Sequence, residues 1–209
     1  DDIKRSRRAY FANISYLDQK IGEILETLET TRQEAVILFV SDHGDMLGER
    51  GLWFKMSFYE GSSRVPMMIS SSGVEPRLVT DPVSNIDVCP TLCDIAGISM
   101  QDVAPWTQGE TLLPMAHGGT RTTPVAMEYA AEASYAPIVS LRSGPYKFNR
   151  CALDPDQLFD LENDPHELVN LIDDPEYDDI RAEFSVLTDA KWDLARFDEE
   201  VRRSQARRW

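Results

Sequence analysis

The chain has 209 residues, and 36 acidic against 21 basic residues leave it with a net charge of -15 and a pI near 4.5. That length can bury a sizeable core, and that charge excludes nucleic-acid binding through phosphate neutralisation as well as docking on an anionic membrane. No apolar run approaches the roughly 20 residues that span a bilayer, and no cleavable signal pattern follows Asp1.

Residues 1–31 read as an amphipathic helix. Ile14, Leu17, Ile21, Ile24, Leu25 and Leu28 recur at helical spacing, with Asp18, Lys20, Glu23 and Glu26 on the other side. The early cluster Lys4, Arg5, Arg7 and Arg8 reads as a solvated helix start. Val36-Ile37-Leu38-Phe39-Val40 then forms a short, continuously apolar run of mostly branched side chains, which predicts a strand buried on both faces of a parallel sheet. In open α/β sheets the ligand crevice lies beyond the carboxyl ends of such strands, and here Ser41-Asp42-His43 occupies that place.

The residue types at this strand end carry chemistry. Asp42 offers hard oxygens and His43 a ring nitrogen, while Gly44 lets the backbone turn so that two neighbouring side chains converge on one divalent cation. Lys55 lies beyond a glycine-punctuated loop as a mobile point charge suited to an anionic group on that metal. A side-chain-capped turn accounts for Asp-His-Gly equally well, and Lys55 alone reads as a surface lysine. The glycines form no nucleotide cradle, because no Gly-Lys-Ser or Gly-Lys-Thr follows them.

Downstream, residues 65–69 predict the next strand, with Arg64 just before it. Residues 80–97 contain a second helix, with Pro90 in its first turn and Gly97 as a left-handed stop. Cys89 and Cys93 read as small buried residues on that helix and Cys151 stands alone; three unpaired cysteines fit a reducing cytoplasm. Residues 101–123, rich in Gly, Pro and Thr, form a connection in which His117 is an exposed loop residue. Short strands are expected at 125–129, 138–142 and 146–148. His166, beside Asp164-Pro165, reads as a turn or cap residue. Residues 173–209 form a final helical extension whose Phe184, Trp192 and Phe197 need burial on this chain or on a neighbouring subunit.

The run Ser41-Asp42-His43-Gly44, then Gly48, Lys55 and Tyr59-Glu60-Gly61-Ser62-Ser63-Arg64-Val65-Pro66, resembles the second half of the sulfatases of the alkaline-phosphatase superfamily. The wording from Gly44 to Met56 is most similar to the choline sulfatases, and Asp87 to Leu92 with Ala96-Gly97 continues the likeness. The resemblance implies an α/β fold: residues 1–120 as the C-terminal part of an alkaline-phosphatase-like layered sheet domain, 121–172 as a small antiparallel-sheet subdomain, and 173–209 as a helical extension in oligomer contact. It implies Asp42 and His43 as metal ligands, with calcium the family's usual ion and manganese or zinc compatible with the His43 nitrogen. It implies Lys55 as the sulfate contact, with Lys55 and His43 in the catalytic set.

Glu132, in Tyr129-Ala130-Ala131-Glu132-Ala133-Ser134-Tyr135, is an acidic residue among small and aromatic ones. It reads as an exposed loop glutamate or as a partner for a quaternary ammonium. The resemblance implies that it matches the carboxylate that binds the cationic head of choline-O-sulfate. The family's nucleophile is a formylglycine made from a cysteine followed two residues later by proline and then by arginine; Cys89-Pro90-Thr91 does not match, and no such sequence occurs here. The expectation is therefore a sulfuric ester hydrolase of a homo-oligomeric, cytoplasmic kind whose nucleophile lies outside these residues, with the chain alone inactive. The alternatives are a phosphonate monoester or phosphodiester hydrolase with nearly the same half-site, and a non-catalytic assembly module.

Overall fold

The computed structural model describes residues 1–32, 34–131 and 134–208. Its contacts divide the chain into one unit of residues 1–55 and 61–75 and a second unit of residues 56–60 and 76–209.

In the first unit, helix α1 spans Asp2–Thr31 and stops at Arg32, whose φ of 52° turns the chain left-handed. The predicted apolar stripe is present but not buried: Ile14, Leu17, Ile24 and Leu25 remain exposed, and Ile21 and Leu28 are half-buried. The helix is tied down near its start instead. Arg7 donates through Nε to the Leu47 carbonyl at 2.8 Å and through Nη2 to Glu49 at 2.8 Å.

Strand β1, Ile37–Val40, ends where the sequence places it. The expected parallel, doubly buried setting is corrected by its partner. Strand β4, Met67–Ser70, runs antiparallel to β1 in a two-stranded sheet, and every residue of β1 is only half-buried. A run of branched apolar residues fixes extended backbone but not direction, which depends on where the chain returns. Between these strands, β2 (Met46–Leu47) and β3 (Trp53–Phe54) form a small hairpin, with Met46 opposite Phe54 and Leu47 opposite Trp53. Gly48, at φ 100°, supplies the left-handed turn in its loop. The single turn α2, Glu60–Ser63, precedes β4 and straddles the boundary between the units.

The second unit holds helix α3, Val88–Ile95, shorter than the residues 80–97 that contain it. A 3-10 turn at Asn85–Asp87 precedes it, closed by a reciprocal cap in which Asp87 Oδ2 accepts from Ser84 N at 2.8 Å. Pro90 lies in the first turn of α3 and Gly97, at φ 67°, follows its end as predicted. Burial covers Pro90, Thr91 and Cys93 only, so Cys89, expected inside, is exposed at the leading edge of the helix. The connection beyond is less irregular than its composition implies, with single turns α4 at Met100–Val103 and α5 at Leu113–Ala116. His117 caps α5 and is exposed.

A four-stranded antiparallel sheet follows in the order β5 (Val125–Tyr129), β6 (Ile138–Ser143), β7 (Tyr146–Cys151) and β8 (Asp154–Asp160). The acidic start of β8 carries no strand signal and is ordered by pairing with β7. Helix α6, Asp178–Lys191, covers one face of the sheet: Phe184 joins Leu141, Phe148 and Leu158 in the core and stacks on Phe148 with ring centroids 6.0 Å apart. Trp192 packs against this core and donates Nε1 to Glu128 at 2.6 Å. Phe184 and Trp192 of the extension are thus packed against this chain's own core. Helix α7, Leu194–Ala206, starts at a cap in which Asp193 accepts from Arg196 N at 3.0 Å, and it buries no residue. No described helix is long and apolar enough to cross a membrane.

Candidate active site

The end of β1 and the hairpin that follows build one polar cluster in the first unit. The hairpin register sets Phe54 opposite Met46, so Lys55 returns beside the residues that leave β1. Phe54 itself has a φ of 67°, a strained conformation for a residue with a side chain, and it turns the chain out of the hairpin immediately before the lysine. Lys55 Nζ then stands 3.0 Å from His43 Nε2.

His43 is oriented through its other nitrogen. Nδ1 lies 2.9 Å from the Gly44 carbonyl oxygen, an acceptor to which it donates when it carries a proton. Asp42 Oδ2 is 3.3 Å from that same Nε2. A carboxylate oxygen and a ring nitrogen side by side are a pair of ligand types suited to a divalent cation. The backbone N–H of His43 donates to Asp42 Oδ1 at 2.9 Å, and this bond is the leading cause that holds the Asp42 carboxyl below its ordinary range. The carboxylate stays ionised and exposed, ready to bind a cation.

The loop is held from below by backbone. Gly44 N donates to the Ser62 carbonyl at 2.8 Å, and the Ser62 hydroxyl, fully buried, donates to the Lys55 carbonyl. Ser41 donates to the His43 carbonyl at 2.9 Å. These bonds tie residues 41–44, Lys55 and Ser62 of the first unit into one hydrogen-bonded turn system.

The structure brings together three of the four residues picked out from the sequence; Glu132 lies outside the described residues. The donor set fits a divalent cation as two of its ligands, one carboxylate and one imidazole. Among the described residues no group of three or more His, Cys, Asp or Glu side chains converges, so the described part of this chain supplies part of a coordination shell. Sequence reasoning passed over Ser62, which looks like an ordinary loop serine, and Lys147, a buried cation inside a strand. A lysine between Tyr146 and Phe148, in a strand otherwise read as core, was the available signal.

Residues 1–98 match the family model described as Sulfatase. The chain is 59% identical to the choline-sulfatase of Rhizobium meliloti (strain 1021), over 100% of the chain and 42% of that protein. It is 33% identical to arylsulfatase K of Gallus gallus, over 81% of the chain and 34% of that protein. Among solved structures, the phosphonate monoester hydrolase of Agrobacterium radiobacter superposes with a TM-score of 0.67 at 27% identity, over 82% of the chain and 38% of that protein. The chain belongs to the sulfatase family, and its α/β architecture is that of the alkaline-phosphatase-like fold. It spans 42% of the length of the first curated relative and 34% of the second.

Proposed function

We propose that this chain is the metal-binding and sulfate-binding part of a sulfuric ester hydrolase that cleaves choline-O-sulfate to choline and sulfate. The observation that carries this reading is the convergence of Asp42, His43 and Lys55 at one strand end, with His43 Nε2 within 3.3 Å of Asp42 and 3.0 Å of Lys55. Asp42 and His43 hold a divalent cation, calcium before manganese or zinc, and bring its charge to the sulfate oxygens. Lys55 stabilises the charge on the sulfate as the ester bond breaks. The family's formylglycine nucleophile has no source in these residues and comes from elsewhere in the enzyme.

Glu132 is the proposed carboxylate partner of the trimethylammonium group, which cannot donate a strong hydrogen bond and is held by charge and aromatic faces. The identity to a protein named choline-sulfatase supports this choice over other sulfate esters. Residues 1–120 are the proposed catalytic portion, 121–172 the small sheet subdomain and 173–209 the oligomer-forming extension. Because Phe184 of α6 and the following Trp192 pack on the sheet, α7 is the segment left for contact with a second copy in a homo-oligomer. The free Cys89, Cys93 and Cys151 favour a reducing, cytoplasmic setting.

The test is hydrolysis of choline-O-sulfate by the full-length enzyme with and without a chelator, beside its Asp42→Ala variant. Chelator-sensitive turnover that Asp42→Ala abolishes supports the reading. Unchanged turnover in Asp42→Ala removes the ligand role, and a preference for phosphonate monoesters or phosphodiesters assigns the half-site to that reaction instead. Absence of metal binding, with self-association through residues 173–209, would leave an assembly module.

A further inference from the structure

Helix α3 lies wholly within the second unit and carries two cysteines four residues apart, Cys89 and Cys93, which the proposed hydrolysis does not use. Residues at this spacing share one face of a helix, one turn apart. Cys89 is exposed, Cys93 is buried with 7% of its surface accessible, and their thiols are hydrogen-bonded to each other. Burial pushes the Cys93 thiol above its ordinary range and the neighbouring Cys89 adds to the effect, so Cys93 keeps its proton at neutral pH. The backbone that carries the pair is fixed. Thr91, about half a turn from both cysteines, donates its hydroxyl to the Asp87 carbonyl at 2.6 Å and accepts the Leu112 N–H at 2.9 Å. The Cys93 carbonyl accepts the Ile98 N–H at 2.8 Å as the chain leaves the helix through Gly97.

Two thiols in contact can close a disulfide or share a soft cation, and the helical spacing separates the two outcomes. A disulfide needs Cβ atoms about 3.5–4.5 Å apart, whereas residues four apart on a helix hold theirs at about 5–6 Å. Closing that bond would distort the turn that Thr91 pins. A metal bridge places an atom between the sulfurs and accepts the wider span. The ligand count then selects the ion. Among the described residues no third His, Cys, Asp or Glu side chain joins the pair. The acidic neighbours along the helix are already engaged: Asp87 accepts from Ser84, Glu110 and Arg121, and Asp94 accepts the Thr111 hydroxyl at 2.8 Å. Structural zinc takes four ligands and calcium takes six or more oxygens, so neither is satisfied here. Thiolates with no harder donor beside them select monovalent copper, which is saturated by two sulfurs in line.

We propose that Cys89 and Cys93 form a two-thiolate site for a soft monovalent cation, copper(I), on one face of α3. The cation enters from solvent at the exposed Cys89, and Cys93 completes its coordination. In the binding step two Cu–S bonds form, both S–H bonds break and two protons pass to solvent, leaving a singly negative complex. No electron is exchanged, because the copper arrives already reduced. The site shares no ligand with the half-site of Asp42 and His43, whose oxygen and nitrogen donors suit a harder divalent ion, and it stands whether or not the hydrolysis proposed above is correct. It makes stability respond to copper, since a cation held only by the folded helix favours the folded state.

The experiment uses the full-length enzyme, reduced and free of oxygen, with copper(I) supplied in the presence of the chelator bicinchoninate as competitor. Copper retained per chain, and the melting temperature with and without copper, are read for the parent, Cys89→Ser, Cys93→Ala and Cys151→Ser. The parent is expected to retain one equivalent more than either Cys89→Ser or Cys93→Ala, and Cys151→Ser is expected to match the parent. A second tethered ligand raises affinity about 100- to 10,000-fold, so the equivalent is lost from the single-thiol variants at competitor concentrations that the parent withstands. Copper should also raise the melting temperature of the parent and of Cys151→Ser by more than that of the other two. Should Cys93→Ala fail to fold, Cys89→Ser, at an exposed position, carries the comparison alone. Equal copper retention in the parent and Cys89→Ser overturns the proposal. A loss in Cys151→Ser equal to that in Cys89→Ser also overturns it, because the thiols would then be binding copper singly.

Discussion

Gly44 and Gly61 meet backbone to backbone: a Cβ built on Gly44 would lie 2.3 Å from the Gly61 carbonyl oxygen, while Gly44 N donates to the Ser62 carbonyl at 2.8 Å. The contact is with main chain, so no side-chain rotation relieves it. Gly44→Ala is expected to push the loop carrying Asp42 and His43 away from residues 61–62, at a cost of about 1–3 kcal/mol for an overpacked site. The measurement is thermal unfolding together with metal affinity. A variant with both values unchanged would show that the close approach is not required.

The Lys55 ammonium reaches His43 Nε2, while its backbone carbonyl accepts the Ser62 hydroxyl and is unaffected by truncation of the side chain. Lys55→Ala is therefore expected to retain metal binding while kcat/KM for the sulfate ester falls by about 100- to 1,000-fold, as when one preorganised charge-stabilising group is removed. Lys55→Arg restores little, because a planar guanidinium on a longer stem does not present the same point charge. Metal content measured beside the kinetics separates a sulfate contact from a structural role: loss of metal in Lys55→Ala would count against the assignment.

Glu132 offers a test of substrate choice that needs no geometry. Glu132→Gln removes the charge and keeps the size, so hydrolysis of choline-O-sulfate is expected to weaken by about 10-fold or more, the scale of a desolvated cation contact, while an uncharged aryl sulfate is spared. Equal losses for both substrates would move the head-group site elsewhere.

The residue types of Asp42, His43 and Lys55 suit a capped turn and a surface lysine as well as a metal site, so the resemblance of the run from Ser41 to Pro66 to the sulfatases singled them out; the hairpin at Met46–Phe54 brings the lysine back beside His43. Strands at Val125–Tyr129 and Ile138–Ser143 followed from branched and aromatic runs, and Gly97 marked its helix end through the left-handed conformation it adopts. What escaped was set by partners far along the chain. The antiparallel pairing of Ile37–Val40 depends on the return at Met67–Ser70, and β8 becomes a strand only because β7 lies beside it. Lys147 reads as an ordinary strand residue until Glu60 and Glu167, 87 residues before it and 20 after it (147 - 60 and 167 - 147), arrive at its ammonium. Spacing along the chain carries no sign of such a meeting.

The link between α1 and the site loop gives a prediction for pH. Burial pushes the Glu49 carboxyl upward, but the Leu47 N–H at 2.6 Å, its own N–H and the Arg7 guanidinium outweigh it, so the group titrates below its ordinary value. The folded state thus favours the ionised form. Its stabilising contribution is complete above the ordinary glutamate pKa and is lost as pH falls through the lower folded value. Glu49 keeps a side-chain exposure of 52%, which limits the contribution through solvent screening to about 0.2–1 kcal/mol. For a chain of this size that corresponds to a melting temperature about 0.4–4 °C lower in Glu49→Gln near neutral pH. The difference should shrink as the pH drops below the ordinary glutamate pKa, and added salt should reduce it at neutral pH. Melting curves of both proteins across that range check the sign, and a gap that stays constant into strong acid would mean that something other than the carboxylate charge anchors α1 to Leu47.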